Sequence, residues 1–490
     1  MEARGALSLI ICAPEEKMNP QILPPERRRP LQWLVAVGFF MQTLDGTIVN
    51  TALPAMAHDL AVSPFRMEAV VIAYMLTVAL LMPASGWLAD RYGTRRIFMT
   101  AIVLFTLGSL ACAESHTLTQ LTASRVLQGI GGAMLVPVGR LAILRGFPRS
   151  ELLSALSFVI MPALVGPLIG PTLGGWLTDI ASWHWIFLIN LPVGVLGLLL
   201  TGRYMPAFTG ERIPFDWIGF GLFGVGIAVF SLSIEGVGEL GFSPARALLL
   251  AVFGLGCLAA YWLHAMRTAV PLFNPRLFHT NSFSVGIIGN LFARLSIGGI
   301  PFLMPQLLQV GLGISATNSG LMLVPVAIAS ILSKPLIEPA VQRFGYRRML
   351  TVNTALVGCS IMGLATIGPN TPLWLILFQL FVMGGINGMQ FSLMNTLTLK
   401  DLNHTDASAG NSLLSVIQQL SMSLGVGTAA MLLSAFLTTV DRSGADGDAA
   451  VFHPTYFFLG LLALVATTIF LQLDPAQDRS GTRSETRDSE

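Results

Sequence analysis

Residues 86–96 read GWLADRYGTRR, and a related stretch, EPAVQRFGYRR, occupies residues 338–348. The two copies are 252 residues apart, and the repeat places Gly345 on Gly93 and aligns the arginines that surround them. A short signature that returns at this distance indicates that the chain consists of two related halves. The helices around the first copy are therefore expected to have counterparts around the second copy.

The composition places both halves in a membrane. Of the 490 residues, 53% are hydrophobic and only 11% are charged, whereas a soluble domain carries about 25% charged residues. Because a helix needs about 20 apolar residues to cross a bilayer, the charge-free part of the chain is long enough for about ten or more crossings. An ordinary soluble enzyme is excluded, and the net charge of +2 gives no general attraction to nucleic acid.

The cysteines and histidines predict no metal site. The four cysteines lie far apart without a CxxC spacing, and the seven histidines form no HExxH pattern. These spacings argue against a disulfide framework and against a thiolate or histidine metal centre. We therefore expect neither a metal nor a bound cofactor.

Apolar stretches bounded by charges, by proline and glycine, or by polar clusters predict fourteen membrane-spanning helices. They lie near residues 31–55, 68–89, 97–114, 118–142, 153–178, 185–203, 216–235, 246–266, 281–310, 316–341, 349–368, 372–398, 408–437 and 453–473. The predicted fold class is an all-α polytopic membrane protein in which two bundles of six helices flank an inserted pair (6+2+6).

The distribution of basic residues predicts the orientation. Sixteen of the 28 lysines and arginines fall on the side where the first span begins, and only Arg66, Arg246 and Arg442 fall in loops on the other side. Because basic loops stay in the cytoplasm, both termini are expected to be cytoplasmic. The predicted divisions are a cytoplasmic tail (1–30), the first bundle (31–205), the inserted helices (206–268), the second bundle (269–473) and a second cytoplasmic tail (474–490).

Asp45 is the deepest acid that the sequence places within a span. A charge at the centre of a span costs at least about 2.5 to 3.5 kcal/mol, so Asp45 needs a partner or a proton. A rise of about 1.5 Å per residue places Asp45, Arg125 and Arg294 at one level, roughly 20 Å from the cytoplasmic edge. We expect these charges to face one water-filled cavity between the halves, with Asp45 as a proton carrier. Gln42 and Gln128 complete the predicted substrate cavity.

Alternatives remain open for these charges. Asp45 and Arg125 are otherwise a fixed buried pair that only locks helix packing. Arg294 either binds substrate, gates the cavity or simply extends its guanidinium toward the interface. Position along a helix does not distinguish these roles.

The fifth predicted span carries a stripe of small residues. Glycine recurs at every fourth position, accompanied by proline and a further glycine: Gly166, Pro167, Gly170, Pro171, Gly174 and Gly175. Glycine at this spacing lets a neighbouring helix approach closely, and the prolines bend the span. We expect a hinge or a seal at this contact.

Four motifs resemble those of the major facilitator superfamily, and specifically its fourteen-span drug:proton antiporter branch. They are LDGTIVNTALP (44–54), GWLADRYGTRR (86–96), LTASRVLQGIGGA (121–133) and GPLIGPTLGGWL (166–177). Each motif alone is weak, but the four occur in the family's order and on the corresponding predicted helices. The resemblance covers roughly residues 31–473.

The resemblance implies an inner-membrane secondary transporter that works by alternating access and exports a small molecule in exchange for protons, as in multidrug efflux and antibiotic resistance. Its partners are then the substrate, protons and the bilayer, the proton gradient takes the place of a cofactor, and the chain is expected to act as a monomer. The resemblance links Asp45 to proton coupling, with assistance from Arg125, and the fifth-helix stripe to antiport. It links the loop after the second helix to stabilising one conformation at the cytoplasmic side, through Gly86, Asp90, Arg91, Gly93 and Arg95.

The sequence departs from the family pattern in two respects. The second copy of the loop has Gln342 in place of Asp90 and Glu338 in place of Gly86, so only the first copy is expected to gate. The deep charges are one acid against two arginines. An anionic cargo, such as a citrate-type carboxylate or its metal chelate, is therefore an alternative to drugs.

A proton-coupled importer and a membrane enzyme or scaffold are further alternatives. The fifth-helix stripe argues against an importer, because the family reserves this motif for antiporters. An enzyme would need a nucleophile, a metal cluster or a phosphate-binding loop, and the sequence offers none of these motifs.

Overall fold

The computed structural model describes residues 22–211, 213–238, 242–443 and 446–473. Within these ranges all regular secondary structure is helical, which confirms the predicted all-α class. Most of the predicted tails, 1–30 and 474–490, lies outside the described residues, and the first helix already begins at Pro25. Proline suits this position because its missing amide would have no helical partner there.

The first half and the inserted pair contain the following helices: α1 (Pro25–Asp59), α2 (Glu68–Tyr92), α3 (Thr94–Ala113), α4 (Leu118–Gly146), α5 (Arg149–Ile180), α6 (Trp185–Leu188), α7 (Asn190–Tyr204), α8 (Trp217–Gly238) and α9 (Pro244–Arg267). Their ends follow local rules. The α4 helix begins where the Thr117 hydroxyl accepts a hydrogen bond of 3.2 Å from the Gln120 amide, a typical N-cap.

The second half contains α10 (Asn281–Ile297), α11 (Ile300–Gln306), α12 (Ala316–Met322), α13 (Val324–Leu332), α14 (Ile337–Leu364), α15 (Leu373–Leu399), α16 (His404–Thr439) and α17 (Phe452–Phe470). Gly298 and Gly299 separate α10 from α11. At both glycines α16 approaches so closely that a side chain would collide with Met422 or Ala429. The break in this span is therefore also a close helix contact.

Twelve helical segments of the described chain are long and apolar enough to cross a membrane, compared with fourteen predicted spans. One difference is α1, which has 35 residues but carries polar side chains such as Gln42 and Asp45 in its middle. The other is a continuous segment of 49 residues, 316–364, which contains two predicted spans. Gly345, with a φ of 76°, separates two helices inside it. The polytopic helical class is established, and the number fourteen stays a prediction.

Each half is a bundle around its own first helix. In the first half α1 packs along α5 and also contacts α4 and α7, while α4 lies against α2 and α3. In the second half α10 contacts α15, α16 and α17. The inserted helices α8 and α9 pack on each other, and α8 also contacts α2 of the first half and α16 of the second. The inserted pair thus touches both halves.

The repeat is visible in the backbone. Gly93 has a φ of 92° and Gly345 a φ of 76°, and glycine adopts such left-handed conformations without steric cost. At Gly93 this conformation ends α2 and lets α3 begin at the next residue. The structure therefore gives a physical reason for glycine in both copies.

The position of the basic residues distinguishes the two ends of the bundle. The basic face is the end where α1 begins and where the α2–α3 loop places Arg91 and Arg95, and the opposite face is the end where α1 stops at Asp59. Three hydrogen bonds join the halves toward the opposite face: Gln309 Nε2 to the Thr51 carbonyl (2.9 Å), Thr172 Oγ1 to the Gly320 carbonyl (3.2 Å) and the Thr317 amide to Asp179 Oδ2 (2.8 Å). We call these contacts the seam. The structure is thus closed at the opposite face.

Candidate functional site

The candidate site is built around a buried ion pair between α1 and α4. Asp45 is fully buried in the middle of α1, and Arg125 of α4 is 1% exposed. Arg125 Nη1 lies 2.7 Å from Asp45 Oδ2. The structure thus brings together the acid and the fourth-helix arginine that helix rise places at one level.

Two amides complete the surroundings of the Asp45 carboxylate. Its Oδ1 accepts hydrogen bonds from Gln128 Nε2 (2.7 Å) and Asn190 Nδ2 (3.0 Å). Both amides also donate to the hydroxyl oxygen of Ser109, at 2.7 and 3.2 Å. A buried ion pair is favourable only when additional hydrogen bonds satisfy its remaining lone pairs, and these amides do so for Asp45.

The Arg125 guanidinium is held from several directions. Its Nε donates to the Val70 carbonyl at 3.3 Å, and its Nη1 also donates to Gln128 Oε1 at 2.6 Å. The centroid of the Tyr74 ring lies 4.2 Å from the guanidinium carbon, within the range of a cation–π contact. A change of charge at the pair would therefore alter contacts of α1, α2 and α4 together.

Sequence reasoning missed three members of this network: Ser109, Asn190 and Tyr74. Asn190 is 2% exposed, and in the sequence it is the one amide in the apolar run IFLINLPVG. A polar side chain inside a span signals helix pairing or function, so Asn190 was detectable. No local sequence feature distinguishes Ser109 or Tyr74 from other serines and tyrosines in the spans.

Arg294 of α10 has contacts of its own. Its Nε donates to Asn290 Oδ1 at 3.1 Å, and its guanidinium carbon lies 4.7 Å from the centroid of the Phe391 ring. The side chain is 6% exposed, and Nη2 has no hydrogen-bond partner among the described residues. Two of the three deep charges thus form a pair, and the third is a buried cation supported by an amide and an aromatic ring.

The two glutamines predicted for the substrate cavity differ in their surroundings. Gln42 precedes Asp45 by about one turn of α1 and corresponds to Arg294 under the 252-residue repeat. Its Oε1 is buried and has no hydrogen-bond partner within the described ranges. Gln128 is fully buried in the network around Asp45. The structure therefore places Gln128 with the ion pair, and it leaves Gln42 with an unused acceptor.

The α2–α3 loop, predicted to gate, is held by the segment that follows α7. Asp90 forms an ion pair with Arg145 of α4. Five hydrogen bonds join the loop and the first turn of α3 to residues 205–210: Gly210 amide to Asp90 carbonyl (3.1 Å), Thr94 amide to Phe208 carbonyl (2.9 Å), Phe208 amide to Thr94 Oγ1 (3.1 Å), Thr94 Oγ1 to Pro206 carbonyl (2.6 Å) and Arg95 Nε to Met205 carbonyl (2.5 Å). Arg91 lies beside the rings of Trp87 and Tyr92. At Gly86 an added Cβ would meet no atom within 4 Å. In this conformation the loop is braced by its own half and by the start of the connection to α8.

The small-residue stripe of α5 is a close contact with two helices. Three of its glycines lie where a side chain would collide with α1: Gly166, Gly170 and Gly174. The Thr51 hydroxyl of α1 donates to the Pro171 carbonyl at 3.0 Å. At Gly175 a side chain would collide with the Ala316 carbonyl of α12. The α5 helix, which runs unbroken through Pro167 and Pro171, therefore links α1 to the second half.

A helical bundle of two repeated halves, with an ion pair buried inside it and a seam between the halves, is the architecture of a secondary transporter. Comparison with known proteins defines the class further. The sequence profile of the Major Facilitator Superfamily matches residues 35–426 and, in a second match, residues 286–488. The chain therefore belongs to the Major Facilitator Superfamily, and it is a transporter rather than an enzyme.

Relatives of similar length cover most of the chain. It is 49% identical over 438 residues to the "Putative multidrug resistance protein MdtD" of Pectobacterium carotovorum subsp. carotovorum, covering 89% of this chain and 94% of the relative. It is 49% identical over 454 residues to the protein of the same name from Cronobacter sakazakii, covering 92% of this chain and 95% of the relative.

Solved structures support the fold. The peptide transporter POT in complex with sulfate matches with a TM-score of 0.67 at 16% identity, covering 92% of this chain and 95% of the other. The D-xylose-proton symporter matches with a TM-score of 0.64 at 14% identity, covering 92% and 99%. At these identities the likeness concerns the fold alone.

Proposed function

We propose that the protein exports a small molecule from the cytoplasm across the inner membrane in exchange for protons, as a multidrug-type efflux transporter. Relatives that are named multidrug resistance proteins support the export of drug-like compounds. The observation that carries the proton exchange is the buried pair of Asp45 and Arg125, because ionisable groups inside a membrane mark proton and substrate pathways. One chain contains both halves and the pair, so we infer that the monomer is functional.

The proposed topology has fourteen spans in a 6+2+6 arrangement with both termini in the cytoplasm. The number is supported by the length of α1 and by the break at Gly345 within residues 316–364. The excess of arginines at the basic face supports the orientation. In this orientation the opposite face is the outside, and the structure is a conformation closed to the outside.

Proton binding at Asp45 would act through charge compensation. Protonation cancels the charge opposite Arg125 and weakens a contact of 2.7 Å. A buried charge that loses its partner costs about 3 to 5 kcal/mol, enough to shift an equilibrium between conformations that differ by a few kcal/mol. After protonation of Asp45, the guanidinium of Arg125 keeps its hydrogen bond to Gln128 Oε1. Gln128 then replaces Asp45 as its main side-chain partner.

The α1 helix carries this change to the seam. Thr51 follows Asp45 by six residues, about 9 Å along the helix, and its carbonyl accepts the hydrogen bond from Gln309 of the second half. The α5 helix, packed along α1, contacts α12 across the same seam. A shift of α1 therefore reaches the contacts that close the opposite face, while the braced α2–α3 loop stabilises the first half at the basic face.

Proteoliposomes with an imposed pH difference test the proposal, with the fluorescent cation ethidium as the probe. The wild-type protein should accumulate ethidium on the acidic side, and Asp45→Asn should abolish this exchange while the protein stays folded and inserted. Glu211→Gln changes an exposed acid between α7 and α8 and should transport normally. Full pH-driven transport by the Asp45→Asn protein would refute the proton role.

Export of an anion, such as a citrate-type carboxylate or its metal chelate, is a second candidate. One observation favours it: the buried Arg294 has a guanidinium nitrogen without a hydrogen-bond partner in the described chain. A guanidinium is the side chain best suited to bind a carboxylate. The two candidates differ in the effect that they predict for Arg294→Ala.

A further inference from the structure

Glu235 is an acid near the end of a membrane span, on the inserted helix α8. The apolar segment covers Trp217–Gly236, and Glu235 is its only charged residue. A carboxyl inside a span is costly, and such residues mark functional positions by default. The mechanism proposed above does not use it.

Contacts of α2 place Glu235 at the depth of the buried ion pair. Val70 and Tyr74 of α2 contact the guanidinium of that pair, and Ile72 lies between them in sequence. A methyl group at Gly427 of α16 would lie 3.6 Å from Ile72 Cδ1 and 4.0 Å from Glu235 Cγ. Asp45 and Glu235 therefore lie near one level, on different sides of α2.

Gly427 marks a junction of three helices: α2 of the first half, α16 of the second half and α8 of the inserted pair. Because α2 and α16 belong to different halves, opening of the opposite face moves one away from the other. Glu235 lies over this junction. Separation of the two helices would admit water to its carboxyl.

The closed junction offers little to an ionised carboxylate. The Ser231 hydroxyl donates to Glu235 Oε1 at 2.9 Å, and no basic side chain forms an ion pair with Glu235 among the described residues. The α16 helix has no charged residue between 409 and 439. In the described parts of the neighbouring elements, the other charged residues near this end are Arg66, Glu68, the exposed Arg246 and, just beyond α16, the exposed Asp441 and Arg442. Glu239, between α8 and α9, lies outside the described residues. The neutral acid is therefore the form that costs less free energy to bury here.

We propose that Glu235 is a second proton-binding site of the transporter, and that a proton bound there favours closure of α2 against α16. The role of this site in transport rests on the proposed proton exchange. With the opposite face open, the hydrated carboxylate takes a proton from the outside water, and it is then half-buried as the neutral acid when the halves close. The proton returns to the same side when the face reopens, so it gates the cycle and adds nothing to the number of protons exchanged.

A thiol placed in the seam reports on this closure without any substrate. Ser319 of α12 is fully buried beside Gly320. In a protein whose native cysteines are replaced, a Ser319→Cys reporter should react with a membrane-impermeant maleimide only when the opposite face opens. Its reaction rate therefore measures opening even if no pH-driven export of ethidium is observed, and the two proposals fail separately.

Because the thiolate is the reacting form of cysteine, each labelling rate is divided by the rate of the denatured reporter protein at the same pH. This relative rate should rise with pH, because the ionised acid favours the open face. Adding Glu235→Gln should give slow labelling at every pH, about tenfold slower at alkaline pH, which corresponds to a preference of about 1.4 kcal/mol for the closed state. Glu235→Asp keeps a carboxyl and should keep the pH dependence. Glu114→Gln, which changes an exposed acid at the end of α3 on the same face, is the matched control and should behave as the parent.

Labelling of the Glu235→Gln protein at the parent rate and with the parent pH dependence would overturn the proposal. So would a pH-independent rate in the Glu235→Asp protein. Loss of the pH dependence in the Asp45→Asn protein, with Glu235→Gln unaffected, would assign the gating proton to Asp45 and also reject Glu235.

Discussion

Thr172 of α5 donates a hydrogen bond of 3.2 Å to the carbonyl oxygen of Gly320 on α12, and the two residues belong to different halves. The helices approach this closely because Gly320 has no side chain, and an added Cβ would collide with the Pro171 backbone. Backbone atoms cannot move aside as a flexible side chain does. Gly320→Val should therefore hold the opposite face open and lower ethidium transport at least about tenfold, the scale of a severe overpacking cost.

Maleimide labelling of the Ser319→Cys reporter and ethidium uptake by proteoliposomes measure the two effects together. Gly256→Val in α9 is a matched control, because an added Cβ there meets nothing within 4 Å. Normal transport and slow labelling in the Gly320→Val protein would show that closure does not need this contact.

Arg125→Gln should destabilise the protein more than removal of both charges. The single change leaves the buried Asp45 carboxylate without its counter-charge, at a cost of about 3 to 5 kcal/mol. The double variant Asp45→Asn, Arg125→Gln buries no charge, and Asn190 and Gln128 still offer hydrogen bonds at this position. Thermal unfolding in detergent should give a lower midpoint for Arg125→Gln than for the double variant.

The double variant also separates a proton carrier from a packing lock. If the pair only fixes helix packing, a folded double variant should transport ethidium under a pH difference. If Asp45 carries the proton, the same folded protein should be inactive. Activity of the double variant in proteoliposomes therefore decides between the two roles.

The ion pair was predictable because a straight helix advances by a fixed rise per residue, so depth follows from sequence position. The same arithmetic does not give the rotation of a helix or the identity of its neighbours. Ser109, Asn190 and Tyr74 reach the pair from α3, α7 and α2, and this meeting depends on tertiary packing. For the same reason, the depth of Arg294 did not reveal its contacts with Asn290 and Phe391.

The repeat predicted the backbone better than hydropathy predicted the number of spans. Gly93 and Gly345 of the repeated loop both have a positive φ, and this conformation explains why both copies have glycine there. Hydropathy is weakened in α1 by Gln42 and Asp45, the polar residues that make this helix the candidate site. The sequence does not predict that α8 lies between α2 and α16. Its one indication of a special role for α8 is the acid Glu235 at the end of an apolar run.

Asp216 fixes the inserted pair at the basic face. Its carboxylate accepts hydrogen bonds from the Gly219 amide (2.8 Å) and the Leu272 amide (3.2 Å) and lies 2.7 Å from His264 Nε2. Burial alone would raise the pKa of Asp216, but the hydrogen bonds from Gly219, His264 and Leu272 outweigh burial and lower the pKa from its ordinary value of 3.8. A carboxyl with a depressed pKa stabilises the fold above its ordinary pKa and loses that contribution as the pH falls through the depressed value.

Asp216→Asn should therefore lower the stability of this region at neutral pH, and its difference from wild type should shrink once the pH falls below 3.8. Trp217 lies next to Asp216, with its ring 5.6 Å from that of Trp87, so tryptophan fluorescence during thermal unfolding reports on the region. Glu211→Gln, an exposed acid of the same connection, should show no such difference. An equal loss of stability in acid and at neutral pH would contradict the proposed charge effect.

Arg294 separates the two candidate cargoes. Hydrogen bonds to charged groups contribute about 1.5 to 3 kcal/mol, so Arg294→Ala should weaken the uptake of citrate by proteoliposomes about tenfold or more. Ethidium is a cation, and removal of a buried positive charge should leave its uptake unchanged or improve it. Arg294→Lys keeps the charge without the planar fork and should fall between wild type and Arg294→Ala for citrate.

Arg140→Gln removes a different arginine from α4 and controls for the loss of one positive charge in the bundle. If the Arg294→Ala protein takes up citrate and ethidium at the wild-type rates, Arg294 has a purely structural role, through its contacts with Asn290 and Phe391. A wild-type protein that takes up ethidium but no citrate would reject citrate as cargo. Because a buried guanidinium attracts an anion and repels a cation at the same position, the ratio of the two uptake rates is the measurement that decides the charge of the cargo.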